Sequence, residues 1–269
     1  MSNTQKGTSW FTRYIKRSLG EEKNNEINSF IEESMSEEFF DFSSEAEIHE
    51  YLGEIVKQYV YSLNMDEISD LRFYTGYDFR NINNTMRGKW NYEENGLLTQ
   101  EKKDMYNELG ERIYKVINKF PQLNLNIKAY RGVNIKAFWD YGVYTLDDIS
   151  VLEGQYIYES GFSSTSLLRS NSFFEKQSEW GSHCNVEIEY FIPRISQDGA
   201  VLLSDALSFS KAQMEYVINS GSLTKITGVE VDKEKGIARL KAFLIPRALW
   251  DPKQLEQGLS ISTPERLCG

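Results

Sequence analysis

Pro121-Gln122-Leu123-Asn124-Leu125-Asn126-Ile127-Lys128-Ala129-Tyr130-Arg131-Gly132-Val133 is where the chain changes texture. Before this stretch, apolar residues recur at helical spacing: Ile48, Leu52, Ile55, Val56, Tyr59 and Val60, then Tyr106, Leu109, Ile113, Val116 and Ile117. Gly76, Gly88 and Gly96 punctuate that helical region. From Ile127 onward the spacing becomes two, in runs rich in β-branched and aromatic residues. These runs predict strands over 127–133, 156–162, 185–192, 200–203, 214–218, 223–231 and 237–245. Asp232-Lys233-Glu234-Lys235-Gly236 joins the last two as a hairpin loop. Helices first and antiparallel-looking strands afterwards indicate an α+β architecture rather than alternating βαβ units. No internal repeat or low-complexity linker interrupts it.

The chain has 269 residues, with 30 Lys and Arg against 40 Asp and Glu, a formal charge of −10. That balance argues against non-specific coating of phosphate backbones, which needs a dense basic surface, and no nucleic-acid partner is expected. With 40% hydrophobic residues and no run near the roughly 20 apolar residues of a membrane span, the sequence reads as a chain that buries a core. Met1-Ser2-Asn3-Thr4 leads into no apolar signal core, so export, if it occurs, is expected by a non-classical or injection route. Cys184 and Cys268 read as free thiols. His49 and His183 lack partners at metal-ligand spacing, so no metal is expected. His183 and Cys184 are neighbours on an extended segment and point to opposite faces, which disfavours a thiol–imidazole pair.

The two ends of the first fifty residues differ in charge. Lys6, Arg13, Lys16 and Arg17 stand without an acid in residues 1–20, while residues 21–50 hold eleven acids against Lys23 alone. Residues 1–42 are expected to be a charged leader or docking segment, read as a solvated helix pair or loose leader in preference to a membrane or export element. Residues 43–269 are expected to form a single domain, with a helical lobe over 43–122 and a β core over 123–250.

No phosphate-binding loop of the P-loop or Rossmann kind and no Gly-x-Ser-x-Gly elbow is present. Three short elements in the strand-rich half remain: Ala129-Tyr130-Arg131-Gly132-Val133, Gly161-Phe162-Ser163-Ser164-Thr165-Ser166, and Ala212-Gln213-Met214-Glu215-Tyr216-Val217. An arginine in an apolar strand needs a buried acid or a bound anion. The Ser-Thr-Ser run is expected to close a strand with three hydroxyls at a turn, and Gln-x-Glu to set amide and carboxylate on one side of an extended segment. Glu187 and Glu189 also lie two apart, and an exposed acidic face is the expectation for them.

In this order the elements resemble the mono-ADP-ribosyltransferases whose catalytic set is an Arg, a Ser-Thr-Ser and a Glu- or Gln-x-Glu on successive core strands. The loop Ser204-Asp205-Ala206-Leu207-Ser208-Phe209-Ser210-Lys211 leading into Gln213 and Glu215 is similar to that of the Rho-modifying clostridial exoenzymes. The enzymatic components of actin-modifying binary toxins are similar too. Tyr74-Thr75, Ile82-Asn83 and Met86-Arg87 resemble the helical elements with which these families hold NAD. The likeness covers about residues 43–246.

That resemblance implies a fold of two roughly perpendicular antiparallel β-sheets with an N-terminal helical lobe, NAD bound between them as substrate, and no catalytic metal. It implies that Glu215 stabilises an oxocarbenium-like ribosyl cation, with Ser164 orienting Glu215. Arg131 and Arg87 would clamp the pyrophosphate, Gly132 would admit the nicotinamide amide, and Tyr74, Asn83, Thr165 and Ser166 would shape the NAD pocket. Gln213 would select an acceptor: a neutral amide suits asparagine or glutamine, or a guanine edge, where a glutamate would suit arginine. Phe209 would touch the protein substrate or pack inward. Arg169, Phe173, Phe174 and Trp180 would fold over the nicotinamide or belong to the core. The expected enzyme is a monomeric toxin or effector acting in the host cytosol on a host protein, with a Rho-type small GTPase as first target. The same reaction on threonine, arginine or guanine, an NAD glycohydrolase, and an inactive binding module remain open as alternatives.

Overall fold

The computed structural model describes residues 10–88, 99–172, 174–175, 184–208 and 214–251. Among these residues five α-helices come first. α1 spans Trp10–Met35, α2 Glu45–Ser62, α3 Met65–Phe73, α4 Phe79–Met86 and α5 Gln100–Ile117. Their starts follow from local chemistry. Ser44 accepts the Glu47 N–H ahead of α2, Asn64 and Glu67 form a reciprocal capping box on α3, and Thr99 accepts the Lys102 N–H on α5. The expected stripes are the buried ones: Ile48, Leu52, Val56 and Tyr59 on α2, and Tyr106, Leu109, Ile113, Val116 and Ile117 on α5. A single π-helical turn, Tyr74–Asp78, links α3 to α4 through a kink at Gly76.

Among the described residues eight strands follow: β1 Ile127–Val133, β2 Tyr156–Glu159, β3 Ser163–Ser166, β4 Val186–Ile192, β5 Gly199–Leu202, β6 Glu215–Ile218, β7 Ser222–Asp232 and β8 Ile237–Leu244. They hydrogen-bond in the order β2-β7-β8-β4-β1-β3-β6-β5. The α+β class is as expected, and the expectation of two antiparallel sheets is refined in two ways. The two halves, β2-β7-β8-β4-β1 and β3-β6-β5, meet at one residue pair, Tyr130 opposite Ser166, so the ladder is continuous through a narrow seam. Within the larger half, β4 and β8 are parallel, because the β7–β8 hairpin brings β8 back beside β4 in the same direction.

The Ser-Thr-Ser run does not close a strand at a turn. The run expected over 156–162 divides at Glu159, the chain turns through residues 160–162, and Ser163–Ser166 becomes a strand of its own between β1 and β6. Nor do Glu187 and Glu189 form an exposed acidic face. Glu187 is 1% exposed and receives Arg169 Nε at 2.9 Å and Arg239 Nε at 3.0 Å, while Glu189 pairs with Lys128 Nζ at 3.0 Å. Two arginines compensate the desolvation of one carboxylate, an arrangement that period-two spacing does not reveal.

Residues 10–42 lie on the sheet. α1 breaks at Gly20, whose φ of +76° suits only glycine, at the point where the basic run gives way to the acidic one. Ile15, Leu19, Ile27 and Ile31 are buried in one cluster with Tyr156, Leu223 and Phe243. Full burial of each such side chain stabilises by about 1.5–3 kcal/mol. Phe40 then bridges to β1, accepting the Lys128 N–H and donating its own to the Asn126 carbonyl, each at 2.9 Å.

Asn219, fully buried after β6, ties the helical lobe to the sheet. Its Nδ2 donates to Asn118 Oδ1 at 2.9 Å and Asp198 Oδ1 at 3.1 Å, and its Oδ1 accepts the Ser220 N–H at 3.0 Å. Asn219→Ala is expected to lower the free energy of unfolding by roughly 2–3 kcal/mol in a urea titration, since it strands buried partners.

Candidate active site

Arg131, Ser164, Thr165, Ser166 and Glu215 stand on or beside β3. Glu215 opens β6, opposite Ser166 of β3 on one side and Leu202 of β5 on the other. The preceding Met214 has a φ of 45° and is the one non-glycine with positive φ among the described residues. This left-handed residue disfavours itself by about 1–3 kcal/mol and forces the turn into β6. It also corrects the expectation of an extended Gln-x-Glu, because strand alternation does not run through Met214. Gln213 and Phe209 themselves lie outside the described residues.

Glu215 is 3% exposed. The Ser164 hydroxyl donates to its Oε1, and the Ser208 hydroxyl is a second hydrogen-bond partner. Burial pushes the Glu215 carboxyl up to about 7, against the pull of the two hydroxyls, which favour the charged form. Among the described residues no basic side chain forms an ion pair with it. A carboxylate kept dry and hydroxyl-bonded, with no described cation beside it, is suited to stabilising positive charge brought in by a ligand.

Arg131 lies on β1 opposite Ile188, and its guanidinium is hydrogen-bonded to the Tyr190 hydroxyl, which also bonds Ser163. No described carboxylate pairs with Arg131, so the structural ion pair that would explain an arginine in this strand is absent among the described residues. Tyr74, 1% exposed, sits where the charges of Glu215, Arg131 and Arg87 all reach its hydroxyl. Tyr130, Arg131, Ser164, Thr165 and Ser166 line a small pocket with Asn171 and Ser172.

The remaining predicted residues are held more tightly. Thr165 Oγ1 donates to the Tyr216 carbonyl at 2.6 Å, and Ser166 Oγ to the Leu168 carbonyl at 2.7 Å, so both hydroxyls shape β3 and its exit. Asn83 Oδ1 accepts the Phe162 N–H at 2.8 Å, and its Nδ2 meets the Tyr74 hydroxyl at 3.4 Å. Gly132 faces Glu187 across the β1–β4 pair. Arg87 is closed on Glu159 through Nε and Nη2, at 2.7 and 2.8 Å. Arg169 is closed on Glu187 with its guanidinium 5.6 Å from the Tyr130 ring centre, and Phe174 is buried. Phe173 and Trp180 lie outside the described residues.

Tyr190, Ser208, Met214 and Glu159 also belong to the site, in roles the motifs do not assign. Glu159 alone carries a signal, as a carboxylate ending the apolar run Tyr156-Ile157-Tyr158 two residues before Gly161. Among the described residues no group of three or more His, Cys, Asp or Glu stands together as a metal site, and no helix is long and apolar enough to cross a membrane.

Known proteins supply the context for this geometry. No curated protein matches the chain in sequence. Solved structures match it in fold: C3stau2 from S. aureus, determined with NAD, has a TM-score of 0.60 at 16% identity, covering 78% of this chain and all of its own. The Clostridium limosum C3 exoenzyme has a TM-score of 0.57 at 18% identity, covering 78% of this chain and 98% of its own. The enzymatic component C2-I of the Clostridium botulinum C2 toxin has a TM-score of 0.55 at 19% identity, covering 78% of this chain and 50% of its own. The expected ADP-ribosyltransferase fold is therefore present. The sequence model described as ADP-ribosyltransferase exoenzyme matches residues 49–243, a span that includes Arg131, Ser164 and Glu215. The chain belongs to the ADP-ribosyltransferase exoenzyme family, as an NAD-dependent mono-ADP-ribosyltransferase with NAD as its substrate.

Proposed function

We propose that Glu215, Ser164 and Arg131 carry the NAD-cleaving step, with Gln213 directing ADP-ribose to an asparagine or glutamine of a host protein. The observation behind this reading is the contrast, among the described residues, between a buried carboxylate without a cation and an arginine without an acid, with Ser164 bonded to the first and lining a pocket with the second. Arg131 would hold the pyrophosphate through its guanidinium fork, and Arg87 would meet the same group from α4. Gly132 would admit the nicotinamide amide, and Tyr74, Asn83, Thr165 and Ser166 would fix the pocket wall.

Cleavage breaks the bond between the ribose C1′ and the nicotinamide nitrogen, and the electron pair leaves with nicotinamide. The ribosyl oxocarbenium left behind is stabilised by the ionised Glu215, which Ser164 holds in place. The acceptor nitrogen then bonds to C1′, and its proton passes to solvent. A cationic nicotinamide nucleoside beside Glu215 favours the charged carboxylate, so NAD binding near neutral pH releases a proton.

The neutral amide of Gln213 favours an amide acceptor over a guanidinium. The loop from Ser204 to Lys211 resembles that of Rho-modifying exoenzymes, which supports a Rho-type small GTPase as acceptor. The family's toxins support delivery out of the producing cell, and the reading adds a non-classical or injection route and action as a monomer in a host cytosol.

Labelled NAD and host lysate test the reading. Glu215→Ala is expected to lower both protein labelling and NAD hydrolysis by about 10²–10³-fold or more, as loss of a transition-state electrostatic group does. Gln213→Ala is expected to reduce labelling while sparing much of the hydrolysis, and full labelling by this variant would overturn the acceptor assignment. Mass spectrometry reads the modified residue: asparagine or glutamine supports the reading, and threonine, arginine or guanine redirects it. NAD loss without any label would make the enzyme a glycohydrolase, and tight binding to a host protein with NAD intact would make it a binding module.

Burial of Glu215 also has a thermodynamic signature. Because its folded carboxyl titrates near 7, above the unfolded value near 4.5, the native state binds the extra proton in between, and stability falls as pH rises through that window. Removing the carboxylate abolishes this slope. Between pH 4.5 and pH 8, thermal melts of Glu215→Gln are expected to gain on the wild type by on the order of 3 kcal/mol.

A further inference from the structure

The corner that turns β2 into β3 is clamped by the end of α4. Arg87 pairs with Glu159 along one edge of its guanidinium, and Glu159 Oε1 also accepts the Gly161 N–H at 2.8 Å. One turn earlier, Asn83 takes the Phe162 N–H. Gly161 leaves no room between them, since a Cβ there would stand 2.8 Å from Asn83 Oδ1 and 3.3 Å from Arg87 Nε. The Arg87 and Glu159 side chains are 23% and 24% exposed, so the pair is mostly removed from water.

A guanidinium carries five N–H donors, and this pairing takes the Nε–H and one Nη2–H. Nη1 makes no hydrogen bond to a described residue. The charge of Arg87 reaches the hydroxyls of Tyr74 and Tyr190, and Tyr190 is bonded to Arg131. The two arginines thus converge on the same phenols from α4 and β1. Arg87 is held by an acid along one edge and is open along another, whereas Arg131 has no described acid at all.

We propose that Glu159 is a positioning residue for NAD: it locks Arg87 through the Nε edge so that the remaining edge of the fork meets the pyrophosphate. The proposal rests on the reading of Arg87 as a pyrophosphate ligand. A bound carboxylate and a bound phosphate can share one arginine because the fork is planar and its edges point apart. Fixing the rotamer beforehand removes an ordering cost from NAD binding, and leaves the cleavage chemistry to Glu215.

The test is a double-mutant cycle of Glu159→Gln and Arg87→Ala, read as KM for NAD and kcat for NAD hydrolysis, with melting temperatures recorded for each variant. Arg87→Ala should raise KM, and Glu159→Gln should raise it by about tenfold, more than it lowers kcat, as loss of a charge-assisted pair does. In the Arg87→Ala background, Glu159→Gln should add little. If the glutamine variant does not fold, Glu159→Asp, which keeps the charge and shortens the reach, carries the same cycle. An unchanged or lowered KM in Glu159→Gln, beside a raised one in Arg87→Ala, overturns the role of Glu159, a lowered value marking it as a competitor of the phosphate. An equal rise in both backgrounds overturns it in favour of a purely structural corner. An unchanged KM in Arg87→Ala removes the reading of Arg87 itself.

Discussion

A carboxylate buried with no counter-ion among the described residues is the constraint around which this fold is arranged. Glu215 is 3% exposed, and what it has in place of a cation is hydroxyl: Ser164 from β3 and Ser208 from the loop before β6. To bring Ser164 alongside, β3 must be wedged between β1 and β6, touching β1 at a single residue pair. That narrow seam in turn depends on the corner at residues 160–162, which α4 clamps through Asn83 and Arg87. The helical lobe therefore holds the strand that holds the carboxylate. Such a group disfavours the folded state above its unfolded pKa, and the offset comes from the surrounding apolar burial on both faces of the sheet.

The arginines divide by what they already hold. Arg169 and Arg239 share the buried Glu187, Arg247 is bound to Asp198 and the Ser220 carbonyl, and Arg87 is paired with Glu159. Each of these satisfies a carboxylate that would otherwise be desolvated alone. Arg131 is different: it stands in the middle of the sheet with only the Tyr190 hydroxyl as a described partner. In a chain of net charge −10, an arginine with no acid among the described residues is a selective feature, because the overall field repels anions and only a local cation with correct geometry admits one.

Much of this was legible in the sequence where spacing has one physical meaning. The period-two run over 127–133 is β1 to the residue, the loop of Asp232-Lys233-Glu234-Lys235-Gly236 does join β7 to β8, and the stripes of α2 and α5 face the core. Of the residues the motif order singles out, Ser164 is bonded to Glu215 and lines a pocket with Arg131. What spacing could not show lies in long-range pairing and in single backbone angles. Glu187 is as charged as Glu189 in sequence, yet its two arginine partners stand 18 and 52 residues away and bury it. The turn at Met214 carries no glycine to announce it, so an extended Gln-x-Glu was the natural expectation. The acidic stretch after Gly20 reads as solvated, while the four isoleucines and leucines of α1 that cover the sheet are too widely spaced to dominate its composition.

Titration of Glu215 itself tests the central claim most directly. Carbon-13 spectra of the glutamate side-chain carboxyls, with the Glu215 signal assigned through Glu215→Gln, should show a midpoint near 7 in the protein without NAD. The midpoint should move higher in Ser164→Ala, because the lost hydrogen bond favours the charged form. A midpoint at the ordinary value near 4.5, indifferent to Ser164→Ala, would mean an open, solvated carboxylate and would contradict the account.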